Sequence, residues 1–288
     1  MRSFSYLAPQ TVPEALGLLA EHGPTARILA GGTDLLLLMQ DGKIQPDVLV
    51  DLAPIRDLRR IGDDDEGGLR MGPLVSLRQI EQDQRVAARY PALAQSTFEL
   101  AGVQIRNMAT IGGNTCNASP AADTIPALMA LDAVAVISGP GLQRRVPYRE
   151  LFIGPGKTVL KAGELLTAIE LPPPAPRSGS CYIKLAVRRA MDIAIVGLAA
   201  AVELADGVVE RCRIVLGAVG PTVMRAPEAE KLLEGSRLDP DVLDRVAEAA
   251  QAVARPISDQ RASADYRLLM VAVLTRQALR QAAAEAGG

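Results

Sequence analysis

The sequence predicts an α+β protein, and three observations carry that reading. Residues 11–52 run helix, strand, helix, strand, which describes a small α/β unit. Residues 172–180, PPPAPRSGS, have the composition of a linker. Beyond the linker, three strand-like runs precede three helical patterns, the order expected of an antiparallel sheet covered by helices.

The elements follow in order. Thr11 to Glu14 has capping-box spacing, and apolar residues recur at helical intervals up to Gly23. RILA reads as a short strand, GGT as a turn, DLLLLMQDGK as a helix ending at Gly42, and DVLVDL (47–52) as a strand. IGDDDEGGLRMG reads as a hairpin whose acidic tip, Asp63 to Glu66, is a solvated turn. SLRQIEQDQRVAARYPALAQSTFELAG reads as two helices split by Pro91. DTIPALMALDA is a helix, AVAVIS a buried strand, Arg144 to Pro147 another, YRELF a helical turn, and LLTAIELPPP a strand ended by prolines. CYIKLAVRR, DIAIVGLAAAVEL and RCRIVLGAV are the three later strands, with Asp206-Gly207 as a tight turn between the last two. Helical patterns then cover 226–234, 239–254 and 262–285.

Composition removes several function classes. The chain of 288 residues has a net charge of −2 and no Lys/Arg-rich stretch, which argues against a duplex-binding surface. The longest uncharged apolar run, 193–202, is too short to span a bilayer. MRSFSYLAPQ lacks the apolar core of a signal peptide, and Cys116, Cys181 and Cys212 are widely spaced, so a cytoplasmic protein without an intrinsic metal cluster is expected. The one histidine, His22, closes a helix, where the helix dipole favours it. With so little side-chain chemistry available, a cofactor is expected to carry any reaction.

Two glycine pairs suggest where that cofactor binds. A phosphate needs several N–H donors at close range, and glycine lets the backbone approach without a Cβ. AGGTDLL and TIGGN both follow apolar residues, and Thr33, Thr110 and Asn114 add side-chain donors. Together the two loops suit the two phosphates of one dinucleotide. Neither has the G-x-G-x-x-G of a Rossmann turn, and GPGKT (154–158) fails as a P-loop because Leu151 replaces the required glycine. Cys116 has no nearby cation and reads as a small packed residue. Asp123 reads either as a helix cap or as a hydrogen-bond acceptor for ribose or adenine. Alternation puts Tyr182 and Lys184 on one strand face, where Lys184 is either a surface charge or a neighbour of an electron-rich ligand.

The ordered set AGGTDLL, TIGGN with SPAAD, GPGKT, KLAVRRAMDIAIVG and PISDQRASADYR resembles the FAD-binding medium subunit of the molybdenum hydroxylases. These are the enzymes of the aerobic carbon monoxide dehydrogenase and xanthine dehydrogenase type. The resemblance runs from about residue 3 to about residue 283. It implies a two-subdomain FAD-binding fold of the vanillyl-alcohol-oxidase type over residues 1–175, split near 53, and a C-terminal α+β domain over 176–288. It implies that Ile28, Leu29, Ala30, Gly31, Gly32, Thr33, Asp34 and Leu35, with Thr110, Ile111, Gly112, Gly113 and Asn114, wrap the FAD pyrophosphate. Asp123 matches an adenosine contact, Leu166 an apolar cofactor contact, and Lys184 a lysine of the flavin pocket; Asp192 lies in the same matched stretch. Leu100 departs from the family, standing where xanthine dehydrogenases tend to carry an aromatic.

The implied activity is that of an electron outlet. Substrate is oxidised at a molybdenum cofactor on a large subunit, two-iron (2Fe–2S) clusters on a small subunit relay the electrons, and FAD passes them to an external acceptor. The rival reading is a self-contained FAD-dependent oxidase or reductase, and a third is a scaffold that has lost its flavin. Gly31, Gly32, Gly112 and Gly113 weigh against the third.

Overall fold

The structure, a computed structural model, describes residues 2–287. The chain opens with a three-stranded parallel sheet of β1 (Ser5–Leu7), β2 (Ala26–Leu29) and β3 (Val48–Asp51), in the order β1-β3-β2. Helices α1 (Val12–His22) and α2 (Leu35–Gln40) connect the strands. Thr11 caps α1 by accepting from Glu14 N–H, but the Glu14 carboxylate reaches back to Gln10 N–H and not to Thr11. β1 leaves no signal in the sequence. Three residues are too few for alternation to register, and a hydrogen bond from the Tyr6 hydroxyl to Asp51 ties the strand down.

A five-stranded antiparallel sheet follows, in the order β4-β5-β10-β6-β7. Its first hairpin is β4 (Ile61–Asp63) and β5 (Leu69–Met71), and Asp64 closes the acidic tip by accepting from Glu66 N–H and Gly68 N–H. The segment expected to form two helices, residues 76–102, forms three, α3 (Leu77–Gln82), α4 (Gln84–Arg89) and α5 (Pro91–Glu99), and α6 (Val103–Met108) follows beyond it. Asp83 makes the extra break, leaving helical geometry to cap α4 at Arg85 N–H. Then come α7 (Ile111–Asn117), α8 (Thr124–Ala130), β6 (Val134–Gly139), β7 (Leu142–Pro147) and α9 (Tyr148–Leu151). The small hairpin β8 (Phe152–Gly154) and β9 (Lys157–Thr158) precedes β10 (Leu165–Leu171). That hairpin holds GPGKT, with Gly156 N–H donating to Ala118 O beyond α7.

The last sheet is β11 (Ser178–Leu185), β12 (Val196–Ala205), β13 (Val208–Gly217) and β14 (Met224–Arg225), antiparallel throughout. Ser178 to Ser180, read as linker, already belong to β11, while residues 186–195, read as strand on both sides, form a loop. Asp206 and Gly207 turn the chain at φ 50° and 75°, as the tight turn required. Helices α10 (Pro227–Leu233), α11 (Pro240–Val253) and α12 (Ala264–Glu285) complete the fold.

This sheet is buried on both faces, which explains its long apolar runs. Cys181, Leu198 and Ile214 pack into a core with α10, α11 and α12. Their neighbours Tyr182, Ala199 and Val215 point the other way, into the core that holds α3, α5 and α8. Gly179 lets α12 come close, since a Cβ there would lie 2.9 Å from the Glu285 carbonyl carbon. Gly217 does the same for Pro126 of α8, also at 2.9 Å. Among the described residues, no helix is long and apolar enough to cross a membrane.

Candidate functional site

The first glycine loop leaves β2 and enters α2. Gly32 has φ +71°, a conformation that costs a non-glycine residue energy. Gly31 is required for a different reason. A Cβ there would lie 2.8 Å from the Met108 carbonyl carbon and 3.0 Å from Ala109 Cα. Met108 and Ala109 immediately precede Thr110, so the two glycine motifs, far apart in sequence, are side by side. The backbone N–H groups of Gly32, Thr33, Asp34 and Leu35 find no acceptor among the described residues; the first paired group is Leu36 N–H, to Gly32 O. Consecutive open donors on a half-buried loop make an anion cradle. Ile28, Leu29 and Ala30 lead into it and are themselves half-buried.

The second motif is built differently from the expected turn. Thr110 caps α7, and Gly112 and Gly113 lie inside its first turn. The turn's donors are spent within the chain: Ile111 N–H on Val75 O, Gly112 N–H on Pro73 O, Gly113 N–H on the Thr110 hydroxyl, Asn114 N–H on Thr110 O. Gly112 is needed because a Cβ would lie 2.7 Å from Pro73 O. The Asn114 side-chain oxygen accepts from the Thr124 hydroxyl at 2.6 Å, which aims its amide N–H groups elsewhere. The two motifs therefore do not offer donors equally. The first supplies open N–H groups, and the second a rigid wall and one amide.

Asp123 does not cap α8, because its side chain accepts no helix N–H. Both its oxygens are held by β11, Oδ1 by the Tyr182 hydroxyl at 2.7 Å and Oδ2 by Lys184 Nζ at 3.0 Å. Lys184 Nζ also donates to Glu99 O at 3.1 Å. The Lys184 and Asp123 side chains are 3% and 7% exposed, so this is one buried unit and not two independent contacts. Burial pushes the Asp123 carboxyl above its ordinary value, against the pull of Lys184 and Tyr182. Gly197, paired with Lys184 across the sheet, makes room for the Tyr182 hydroxyl. The sequence placed Tyr182 and Lys184 on one face but carried no signal that Asp123 would meet them. Tyr182→Phe is expected to cost about 1.5–3 kcal/mol, the range for a hydrogen bond to a charged group. Urea unfolding of the FAD-free chain measures this, and an unchanged midpoint would show that the hydroxyl contributes nothing.

The remaining candidates divide. Asp192 anchors the loop over 186–195, accepting from Arg188 N–H at 3.0 Å and Ile193 N–H at 2.8 Å; these bonds hold its carboxyl below the usual range. Leu166 is 2% exposed and packs in the core, so it lies behind the surface a ligand would meet. Leu100 packs half-buried against the same core. Cys116, expected to be packed, is exposed near the end of α7.

Comparison with known proteins gives this geometry its context. Residues 2–174 match the family described as the FAD binding domain in molybdopterin dehydrogenase, and residues 181–282 the CO dehydrogenase flavoprotein C-terminal domain. The chain belongs to the FAD-binding subunits of the molybdopterin dehydrogenases. It is 37% identical over 286 residues to the carbon monoxide dehydrogenase medium chain of Afipia carboxidovorans, covering 99% of this chain and 98% of that one. It is 35% identical over 285 residues to a xanthine dehydrogenase FAD-binding subunit of Escherichia coli, at 99% and 97% coverage. Among solved structures, CO dehydrogenase from Oligotropha carboxidovorans superposes with a TM-score of 0.95 at 34% identity, covering 99% of both chains. Quinoline 2-oxidoreductase from Pseudomonas putida gives 0.92 at 32% identity, covering 99% of this chain and 98% of that one. This FAD-binding subunit is thus an oxidoreductase component whose cofactor is FAD. Its residues suit that cofactor: the open donors of the first loop match a pyrophosphate, and Gly31 lets that loop pack directly against the backbone leading into the second motif.

Proposed function

We propose that this FAD-binding subunit is the electron outlet of a molybdenum hydroxylase. Its partners are a large subunit with the molybdenum cofactor and a small subunit with 2Fe–2S clusters. The observation that carries the reading is the first glycine loop, four open N–H groups packed against the chain that leads into the second motif. The names of its relatives, medium chain and FAD-binding subunit, support a component of a larger assembly. Bound FAD supplies the exchange between single-electron delivery and transfer to an external acceptor.

The chain's own residues bind and orient. Gly31 to Leu35, led in by Ile28 to Ala30, hold the pyrophosphate, and Thr110 to Asn114 fix its second side. Asp123, Lys184 and Tyr182 form the buried polar wall, and Asp192 holds the loop beside it. Lys184 keeps one N–H beyond the two already used, and its charge stabilises an electron-rich ring. We further assign residues 1–175 to the FAD-binding domain and 176–288 to the C-terminal domain, and place the protein in the cytoplasm, where its three free thiols stay reduced.

The test is a visible spectrum of the chain purified alone and after co-expression with the neighbouring open reading frames. Flavin bands, with FAD released on denaturation and a molybdenum and iron–sulfur pair co-purified, are expected. FAD at a hundredfold over Kd should add about 2.7 kcal/mol to stability. A yellow protein that stays alone and turns over a substrate would establish the rival oxidase. A protein colourless in both preparations would overturn the FAD reading.

A further inference from the structure

The segment PISDQRASADYR, residues 256–267, is one of the stretches that carry the family resemblance, but it has no part in the site described so far. Its last residue, Arg267, lies in the first turn of α12 and is 3% exposed. One guanidinium nitrogen donates to two carbonyls, Ile195 O at 2.6 Å and Ala218 O at 3.2 Å. The other donates to Asp259 Oδ1 at 2.8 Å. Asp259 is itself fixed by Arg261 N–H at 2.8 Å and Ala262 N–H at 3.2 Å.

The two carbonyls belong to segments that lead to the buried polar wall. Ile195 ends the 186–195 loop, and its N–H donates to Leu185 O at 2.7 Å, next to Lys184. Ala218, in a left-handed conformation at φ 63°, donates its N–H to Pro120 O at 2.8 Å, at the start of the turn that delivers Asp123. One side chain therefore joins the backbone behind Lys184 to the backbone behind Asp123. Stability alone does not call for an arginine here. A buried ion pair is often matched by well-packed apolar residues, and Arg267 Nε is left without a partner. A planar fork that reaches two carbonyls on separate loops is a geometric device.

We propose that Arg267, oriented by Asp259, is a positioning residue that holds the 186–195 loop and the Pro120–Asp123 turn in their cofactor-binding arrangement. The proposal rests on reading the Asp123–Lys184 pair as part of the FAD site. The experiment uses the full chain in whichever form, alone or co-purified, retains flavin. It compares wild type, Arg267→Lys, Asp259→Asn and a control, Arg225→Lys, at the partly buried Arg225–Glu230 pair, which touches neither segment. Hydrogen exchange is followed over 186–195 and 118–123, and FAD affinity and flavin reduction potential are measured.

Arg267→Lys and Asp259→Asn are expected to speed exchange in both segments and to shift the flavin potential. If the arrangement is then kept for about a tenth of the time, the apparent Kd for FAD rises about tenfold. The control is expected to change none of these. Folded variants with wild-type exchange and wild-type FAD affinity would overturn the proposal, as would a control that weakens FAD equally. Wild type that binds no FAD would instead defeat the site reading beneath it, so the two failures are distinguishable. Should Asp259→Asn fail to fold, Arg267→Lys, which keeps the charge and loses the fork, decides the matter.

Discussion

Gly31→Ala is expected to abolish FAD retention. The added Cβ would overlap the Met108 carbonyl, and neither partner is a side chain that can rotate away. The β2–α2 loop or the α6–α7 junction must move. A displacement near 1 Å at a preorganised site costs roughly a hundredfold in function, and overpacking adds about 1–3 kcal/mol of instability. Gly113→Ala is the informative comparison, because a Cβ there meets only the Thr110 hydroxyl, at 3.0 Å. Within a helix, alanine is favoured over glycine by about 1 kcal/mol, so that variant should fold well. FAD titration of both variants checks the contrast. Equal affinity in Gly31→Ala and wild type would mean that the contact between the two motifs does not shape the site.

Lys184→Met should be the most damaging single change on the β11 side. It leaves the Asp123 carboxyl buried with only the Tyr182 hydroxyl as partner. Removing one member of a buried pair typically costs about 3–5 kcal/mol. The loss should depend on pH with a definite sign. The Asp123 pKa already lies above its ordinary value, and losing Lys184 raises it further. The folded state then holds a proton that the unfolded chain has released, so stability falls as pH rises from the ordinary carboxylate range through the raised value. Thermal unfolding at pH 5 and pH 8 should therefore show the larger deficit at pH 8. Lys184→Met should also shift the flavin reduction potential in the holoprotein. An unshifted potential with a pH-independent deficit would reduce Lys184 to a packing residue.

The sequence was most legible where chemistry is local. Thr11 at its cap, the Asp206-Gly207 turn, the prolines after β10 and the three C-terminal helices follow from propensity and periodicity, and they stand where expected. The errors arose where a single side chain overrides the pattern. Asp83 breaks one apolar periodicity into α3 and α4, and Asp192 folds apolar residues of an apparent strand into a loop. The glycine motifs were visible, but not how they divide the work, since Gly112 is inside a helix and its N–H is spent on Pro73. The Asp123–Lys184 pair was hidden for a different reason. Its members sit 61 positions apart, and only the tertiary packing of α8 against the last sheet brings them together.

The two-faced burial of that sheet also bears on how such subunits can diversify. Tyr182, Ala199 and Val215 are as much part of the N-terminal core as Leu93 or Ile125. An exchange of C-terminal halves between relatives is thus not modular. The incoming strands would meet a foreign α5 and α8, with Gly217 fitted to another protein's proline. Viable recombinants should inherit these helices together with the strands they touch, so the natural seam for inheritance runs along a packing surface and not through the proline-rich crossing at residues 172–174.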